Sequence, residues 1–282
     1  MHIRFIIIFS IIIFISCDII NPEEELPAYI KIDKITLSSE PNALGINDAW
    51  VYIDGNLQGV YELPAEFPVL EKGNHEIKVL AGIKVNGIAA TRTWYPFYTQ
   101  FVSEQNITEM NTIELNPVVS YNDDIYFMWE ENFENLSISL DTAPGSSTNI
   151  VSYSNDVFSG NASGAILLNP GDTYFECITS NNFPDLKGLS GRPVFLEMNY
   201  KNNLEFFVGM YIIKDNSLDS RSIIRVNQSD DWNKIYIDLS NPLNDYQDAL
   251  SFYFYFLTYK NANDTTSSSI LFDNLRIVLS QY

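Results

Sequence analysis

Hydrophobic and polar residues alternate at period two along most of this chain. The exception is the start, where residues 5–15 are apolar apart from Ser10. After that run, short apolar stretches are punctuated by Asn, Gly, Pro, Asp and Ser, and no segment repeats at helical spacing. Alternation of this kind predicts half-buried strands. It is clearest in WVYID (50–54), VFLEMNY (194–200), FFVGMY (206–211), WNKIYIDL (232–239), LSFYFYF (250–256) and ILFDNLRIV (270–278). The 17 Tyr and 18 Phe residues favour the same reading, because aromatic side chains suit a pleated, half-buried surface. The expected fold class is all-β, with two β-sandwich domains over residues 28–117 and 125–282 joined by a short connector, 118–124.

The two units differ in texture. The first carries a strand ending in Asp54-Gly55, then Gly59, Pro64, and Gly73-Asn74 before His75, Ile77 and Val79. Asp-Gly marks a tight hairpin, Gly73-Asn74 predicts a second turn, and His75, Ile77 and Val79 share one strand face. This order resembles a PEGA-type module, a small surface-layer β-sandwich, and implies an immunoglobulin-like fold. The long Gly59–Pro64 spacing and Ile83 after Gly82 depart from that pattern. The second unit opens on WEENFE (129–134) and closes on an Asp-Asn-apolar strand at Asp273. It resembles the jelly-roll sandwich of carbohydrate-binding modules and galactose-binding-like domains.

A positive residue, Arg4, precedes the opening apolar run, and Ser16-Cys17 follows it, as in a secretory signal peptide. At 1.5 Å per residue the run is too short to span a bilayer. The sequence FISC (14–17) resembles a bacterial lipobox, with Phe14 departing from the usual Leu. That resemblance implies removal of residues 1–16, acylation of Cys17, and attachment to a membrane. The alternative is an ordinary cleaved signal with an incidental thiol. Residues 17–27 are acidic, proline-containing and aperiodic, the composition of a solvated tether. An acidic tether bearing a polymer-binding sandwich suits the outer membrane. Asp18 directly after the cysteine resembles the inner-membrane retention signal of some bacteria and leaves that location open.

Net charge narrows the partners. With 36 Asp+Glu against 16 Lys+Arg the chain carries −20, which repels phosphate backbones and argues against nucleic-acid binding. Only Cys17 and Cys177 are present, so an acylated Cys17 leaves Cys177 without a disulfide partner, an inert thiol in a strand. The triplets at Thr142 and Thr265 (DTA, DTT) resemble acceptors of bacterial O-glycosylation.

Candidate chemistry is sparse. Asp273 shares strand parity with Leu271, Leu275 and Ile277, placing an acid on an apolar face where it needs hydrogen bonds, a cation or a metal. The jelly-roll resemblance implies one structural calcium held by Asp273 with Glu134, or Glu131, and backbone carbonyls; otherwise Asp273 caps a loop through amides. Tyr253 and Tyr255 alternate with Phe252, Phe254 and Phe256, so one row fills a core while the other points outward. Together with Tyr211 they are the candidate ligand-binding platform, the alternative being that all are core. Trp129 and Trp232 read as core or rim residues, and His75 as a structural histidine. No nucleophile elbow, phosphate loop or zinc-protease helix is present, and Glu130, Glu131 and Glu134 lack the glycosidase spacing. These residues suggest a non-catalytic envelope protein that binds glycan or another extracellular polymer. Two alternatives stand beside it. One is an accessory protein docking onto an envelope complex through an exposed WYPFY patch (94–98). The other is a hydrolase with two acids brought together from distant segments.

Overall fold

A computed structural model describes residues 24–40, 42–189 and 191–281. The signal segment, Cys17 and most of the tether lie outside the described residues. The fold is all-β, as the alternation predicts.

The first unit contains β1 (Ala28–Ile32), β2 (Thr36–Leu37), β3 (Ile46–Ile53), β4 (Asn56–Glu62), β5 (Ala65–Val69), β6 (Gly73–Lys84), β7 (Arg92–Trp94), β8 (Phe101–Ile107), β9 (Thr112–Leu115) and β10 (Val118–Val119). One sheet runs β5-β1-β9 and the other β4-β3-β6, with β8 and β7 sharing the outer edge of the long β6. Ile30 and Ile32 from one sheet and Val51, Ile53, Ile77 and Val79 from the other meet in the core. Asp54 and Gly55, at φ 48° and 78°, turn β3 into β4 as the Asp-Gly signal predicts. The second predicted turn falls earlier than Gly73-Asn74. Both residues already belong to β6, and the preceding strand β5 pairs with β1 in the opposite sheet.

The second unit contains β11 (Ile125–Glu131), β12 (Leu140–Thr142), β13 (Ile150–Tyr153), β14 (Ser163–Leu168), β15 (Tyr174–Thr179), β16 (Val194–Asn202), β17 (Phe206–Ile213), β18 (Leu218–Val226) and β19 (Ser229–Asp238). A short helix α1 (Ser240–Asn244) then leads to β20 (Ser251–Tyr259) and β21 (Ser268–Ser280). One sheet is ordered β13-β14-β21-β16-β19, with β11 also on β21; the other is β12-β15-β20-β17-β18. Between them lies a core rich in phenylalanine, where Phe252, Phe254 and Phe256 are sealed from solvent.

The second unit's two outer faces have different fates. The outer face of β16, β19 and β21 is covered by the first sandwich, whose core takes in Phe195, Tyr236 and Val278. The WYPFY segment makes this seal. Tyr95, Phe97 and Tyr98 are buried, and the Tyr95 ring lies edge-on to Phe195 at 5.3 Å and to Tyr236 at 4.8 Å. The expected exposed patch is therefore an internal one, with Trp94 alone left in solvent. The segment 118–124 is also bonded into this seal: β10 pairs with β2, and Tyr121 forms a bridge with Tyr98. The outer face of the second sheet, β12-β15-β20-β17-β18, is not covered by the first sandwich.

Candidate functional site: the tyrosine face of the second sandwich

Because β20 alternates, the residues opposite its core phenylalanines are Tyr253, Tyr255, Leu257 and Tyr259. Register places Tyr211 of β17 beside Tyr253, Gly209 beside Tyr255, and Glu176 of β15 beside Leu257. The three sequence-predicted tyrosines thus share one face. Their exposures differ: Tyr211 and Tyr253 are half-buried, whereas Tyr255 is 6% exposed and lies as floor rather than platform. Its ring packs against Tyr211 at 5.0 Å and crosses Gly209, where a Cβ would sit 2.1 Å from Tyr255 Cζ.

Glu176 organises this face and was not anticipated from the sequence. It is 7% exposed, and both carboxylate oxygens accept phenol protons. Tyr211 Oη donates to Oε1 at 2.5 Å, reaching from β17 across β20, and Tyr174 donates to Oε2 through a short hydrogen bond. Burial, and then the bond to Glu176, push both phenols well above their usual range. These tyrosines stay neutral at any physiological pH, with their hydroxyls fixed. Fixed phenol rings present apolar, electron-rich faces with a polar rim. The signal for Glu176 was its parity with Tyr174 and Ile178 in β15, which becomes meaningful only once β15 is known to pair with β20.

The second candidate, the acids Glu134 and Asp273, lies beneath the loop 156–162. Asp273 is fully buried, as expected, but not on the core face. Asn274 adopts φ 48° and adds one residue to β21 against β16, so parity reverses there and Leu275, not Asp273, continues the core row of Ile270 and Phe272. Its carboxylate accepts the Ser159 N–H at 3.0 Å and the Asn274 N–H at 2.8 Å. Glu134 accepts the N–H groups of Asn161 and Ala162 at 2.7 and 3.0 Å, which hold its carboxyl below the ordinary range. Burial pushes Asp273 up to about 6, and the negative charge of Glu134 adds to it. Glu131, the alternative partner, is bonded to Phe133 N–H and to both donors of Ser139.

A cation would offset the burial of the Asp273 carboxylate and, to a lesser degree, the negative charge of Glu134 beside it. Opposite Asp273 in the register stands Asn199, fully buried, with neither atom of its amide bonded. An oxygen-only donor set of this kind fits calcium. Among the described residues, no group of three or more His, Cys, Asp or Glu is close enough to hold a metal alone.

The remaining candidates are structural. His75 bonds Asp54 Oδ2 through Nδ1 at 2.6 Å and the Lys72 carbonyl through Nε2 at 3.1 Å. Cys177 is buried, and burial raises its thiol far above neutrality. Trp129 is a core residue bonded to Ser139, and Trp232 is a rim residue bonded to Asp156. Thr265 is exposed, while Thr142 is half-buried in β12.

No protein-family model and no curated protein matches this chain. Solved structures do. The chain is similar to the CBM22-1 xylan-binding domain from Paenibacillus barcinonensis Xyn10C, at 13% identity over 56% of this chain and 96% of that one, with a TM-score of 0.43. It is similar to the C-terminal family 22 carbohydrate-binding module of Clostridium thermocellum Xyn10B, at 12% identity over 56% and 97%, with a TM-score of 0.39. It is also similar to the family 30 carbohydrate-binding module of the C. thermocellum cellulase Cel9D-Cel44B, at 12% identity over 56% and 94%, with a TM-score of 0.37.

Proposed function

We propose that this protein binds polysaccharide without cleaving it, through the outer face of β15, β20 and β17, and that it does so anchored to the cell envelope by acylated Cys17. The observation that carries the binding role is the tyrosine set locked around Glu176 on the uncovered face. Sugar rings dock on such surfaces by laying their C–H groups on aromatic faces while hydroxyls bond the polar rim. Holding the rings by hydrogen bonds before a ligand arrives lowers the entropy lost on binding. Both oxygens of Glu176 are committed to phenols, which suits a scaffolding acceptor better than a proton donor in glycoside cleavage. The anchor rests on the apolar run ending in Ser16-Cys17 and the acidic tether that follows. Calcium held by Asp273, Glu134 and Asn199 would pin the loop 156–162 to the sandwich as a structural ion.

Affinity electrophoresis through gels containing xylan, β-glucan or mannan tests the binding role. Retention of the folded protein, weakened about tenfold by Tyr253→Ala or Tyr211→Ala, is expected. Unretarded migration in every polymer, or release of reducing sugar from any of them, would sink it. Mass spectrometry of the native N-terminus tests the anchor, and an unmodified Cys17 thiol would exclude it.

A further inference from the structure

Trp94 is the one aromatic residue of the WYPFY segment that the domain seal does not consume. It ends the edge strand β7 with 42% of its surface exposed. It borders two clefts. The first, of about 460 Å³, opens between the sandwiches and is lined by Trp94 and Pro96 from one side and by Arg192, Asp238, Asn241 and Asn244 from the other. The second, of about 550 Å³, continues past Trp94 over the first sandwich toward Gln100 and Asn122. Both volumes lie in the range of small-ligand sites.

Ser240 in the first cleft is bonded to the backbone of Val194, but several other polar side chains there are not committed to partners. In a chain of net charge −20, and among the described residues, Arg192 makes no ion pair and the side-chain amides of Asn241 and Asn244 make no hydrogen bond. Asp238 uses Oδ1 to accept the Ser240 N–H at 2.8 Å, and among the described residues no donor bonds its other oxygen. A flat exposed indole faced by a guanidinium, two amides and a carboxylate combines a stacking surface with both donors and acceptors. That mixture matches the alternating donor and acceptor hydroxyls of a neutral sugar. An anionic sugar would meet Asp238 and the overall negative field, and an apolar ligand would leave the polar groups desolvated and unpaired.

We infer that the junction between the sandwiches is a second saccharide subsite, in which Trp94 stacks a neutral sugar unit and Arg192, Asp238, Asn241 and Asn244 bond its hydroxyls. This rests on the reading of the protein as a glycan binder, but it uses residues separate from the tyrosine face. It also gives the buried seal a role, since a subsite built from both sandwiches needs them held against one another.

Isothermal titration with neutral hexasaccharides of xylose, glucose and mannose, alongside tryptophan fluorescence, tests the inference on the two-sandwich protein. Trp94→Ala and Arg192→Ala should each weaken binding of a hexasaccharide about tenfold. A saccharide-induced change in tryptophan emission should persist in Tyr253→Ala and vanish in Trp94→Phe. Arg192→Ala serves if Trp94→Ala lowers the melting temperature. Loss of binding in Tyr253→Ala with unchanged affinity in both junction variants would overturn the junction subsite and leave the tyrosine face standing. Wild-type protein that binds none of the hexasaccharides would overturn both, as would a Trp94 response confined to apolar peptides overturn the saccharide assignment.

Discussion

The Tyr95 hydroxyl of the first sandwich donates to Glu197 Oε1 of the second at 2.6 Å. Glu197 is fully buried, and its other oxygen accepts the Tyr121 hydroxyl and forms an ion pair with the Lys234 ammonium, each at 2.7 Å. Burial alone would raise this carboxyl, but Lys234 and the two phenols outweigh it and hold Glu197 below the ordinary range. Lys234 is raised well above its own. A buried pair of this kind gives little net stability compared with an apolar replacement, but it is costly to break from one side. Its three tyrosine and lysine partners come from β19 and from the segments around β7 and β10, so it also specifies how the sandwiches meet.

Removing one partner should therefore destabilise the protein far more than removing both. Lys234→Met is expected to cost about 3–5 kcal/mol, and Glu197→Gln with Lys234→Met together clearly less than the sum. Tyr95→Phe should cost about 1–3 kcal/mol, by leaving a buried acceptor short of a donor. Because the folded carboxyl is depressed, its contribution is present above pH 4.5 and disappears as pH falls through the folded value. Urea unfolding at pH 7 measures these differences. Additive single and double variants would show that the network does not act as a unit.

His75 makes a pH dependence of the opposite sign. Its bond to Asp54, and then that to the Lys72 carbonyl, raise its pKa above 6.5. Both ring nitrogens face acceptors, so the doubly protonated ring is the one fully satisfied. The stabilisation is complete below pH 6.5 and declines as pH rises through the folded value. Proton NMR of the His75 ring should give a midpoint above 6.5 that returns toward it in Asp54→Asn. A wild-type midpoint at or below 6.5 would contradict the pairing.

Calcium should matter most where Asp273 is ionised. With its folded carboxyl at about 6 against 3.8 unfolded, folding binds a proton between those values. Without a cation, stability then falls as pH rises through this window, by an amount of the order of 2–3 kcal/mol. Calcium should raise the melting temperature at pH 8 and have little effect at pH 4.5, where the acid is protonated. Asn199→Leu, which removes the unpaired amide, should abolish the response. Identical melting curves with calcium and with a chelator at pH 8 would rule out the ion.

Period-two alternation carried the fold class because it reflects burial on one face, which is local to each strand. The separation of Phe252, Phe254 and Phe256 from Tyr253 and Tyr255 was legible for the same reason. Parity failed at Asp273, where a single bulge residue reversed it. Properties that depend on which strands become neighbours were not legible. Glu176 meets Tyr211 only because β20 lies between their strands, and Tyr95 is sealed by Phe195 and Tyr236, which come from strands far later in the chain. Composition alone cannot distinguish an aromatic seal from an aromatic docking patch.

Gly209 provides the closest test of the tyrosine face. It lies opposite Tyr255 in the register, and the Tyr255 ring occupies the space a Cβ would take. An added Cβ would fall 2.1 Å from Tyr255 Cζ and 2.6 Å from the Arg221 carbonyl oxygen. Gly209→Ala must therefore lift the ring, at a cost of about 1–3 kcal/mol for overpacking. Tyr255 packs against Tyr211, so lifting one shifts the other and loosens the 2.5 Å bond to Glu176. Polysaccharide retention should fall in Gly209→Ala even at temperatures where the protein is fully folded. Adding Tyr255→Ala should recover part of the stability, since the colliding ring is gone, but none of the binding. If Gly209→Ala migrates through polysaccharide gels as the wild type does, the ordered tyrosine bed is not what holds the sugar.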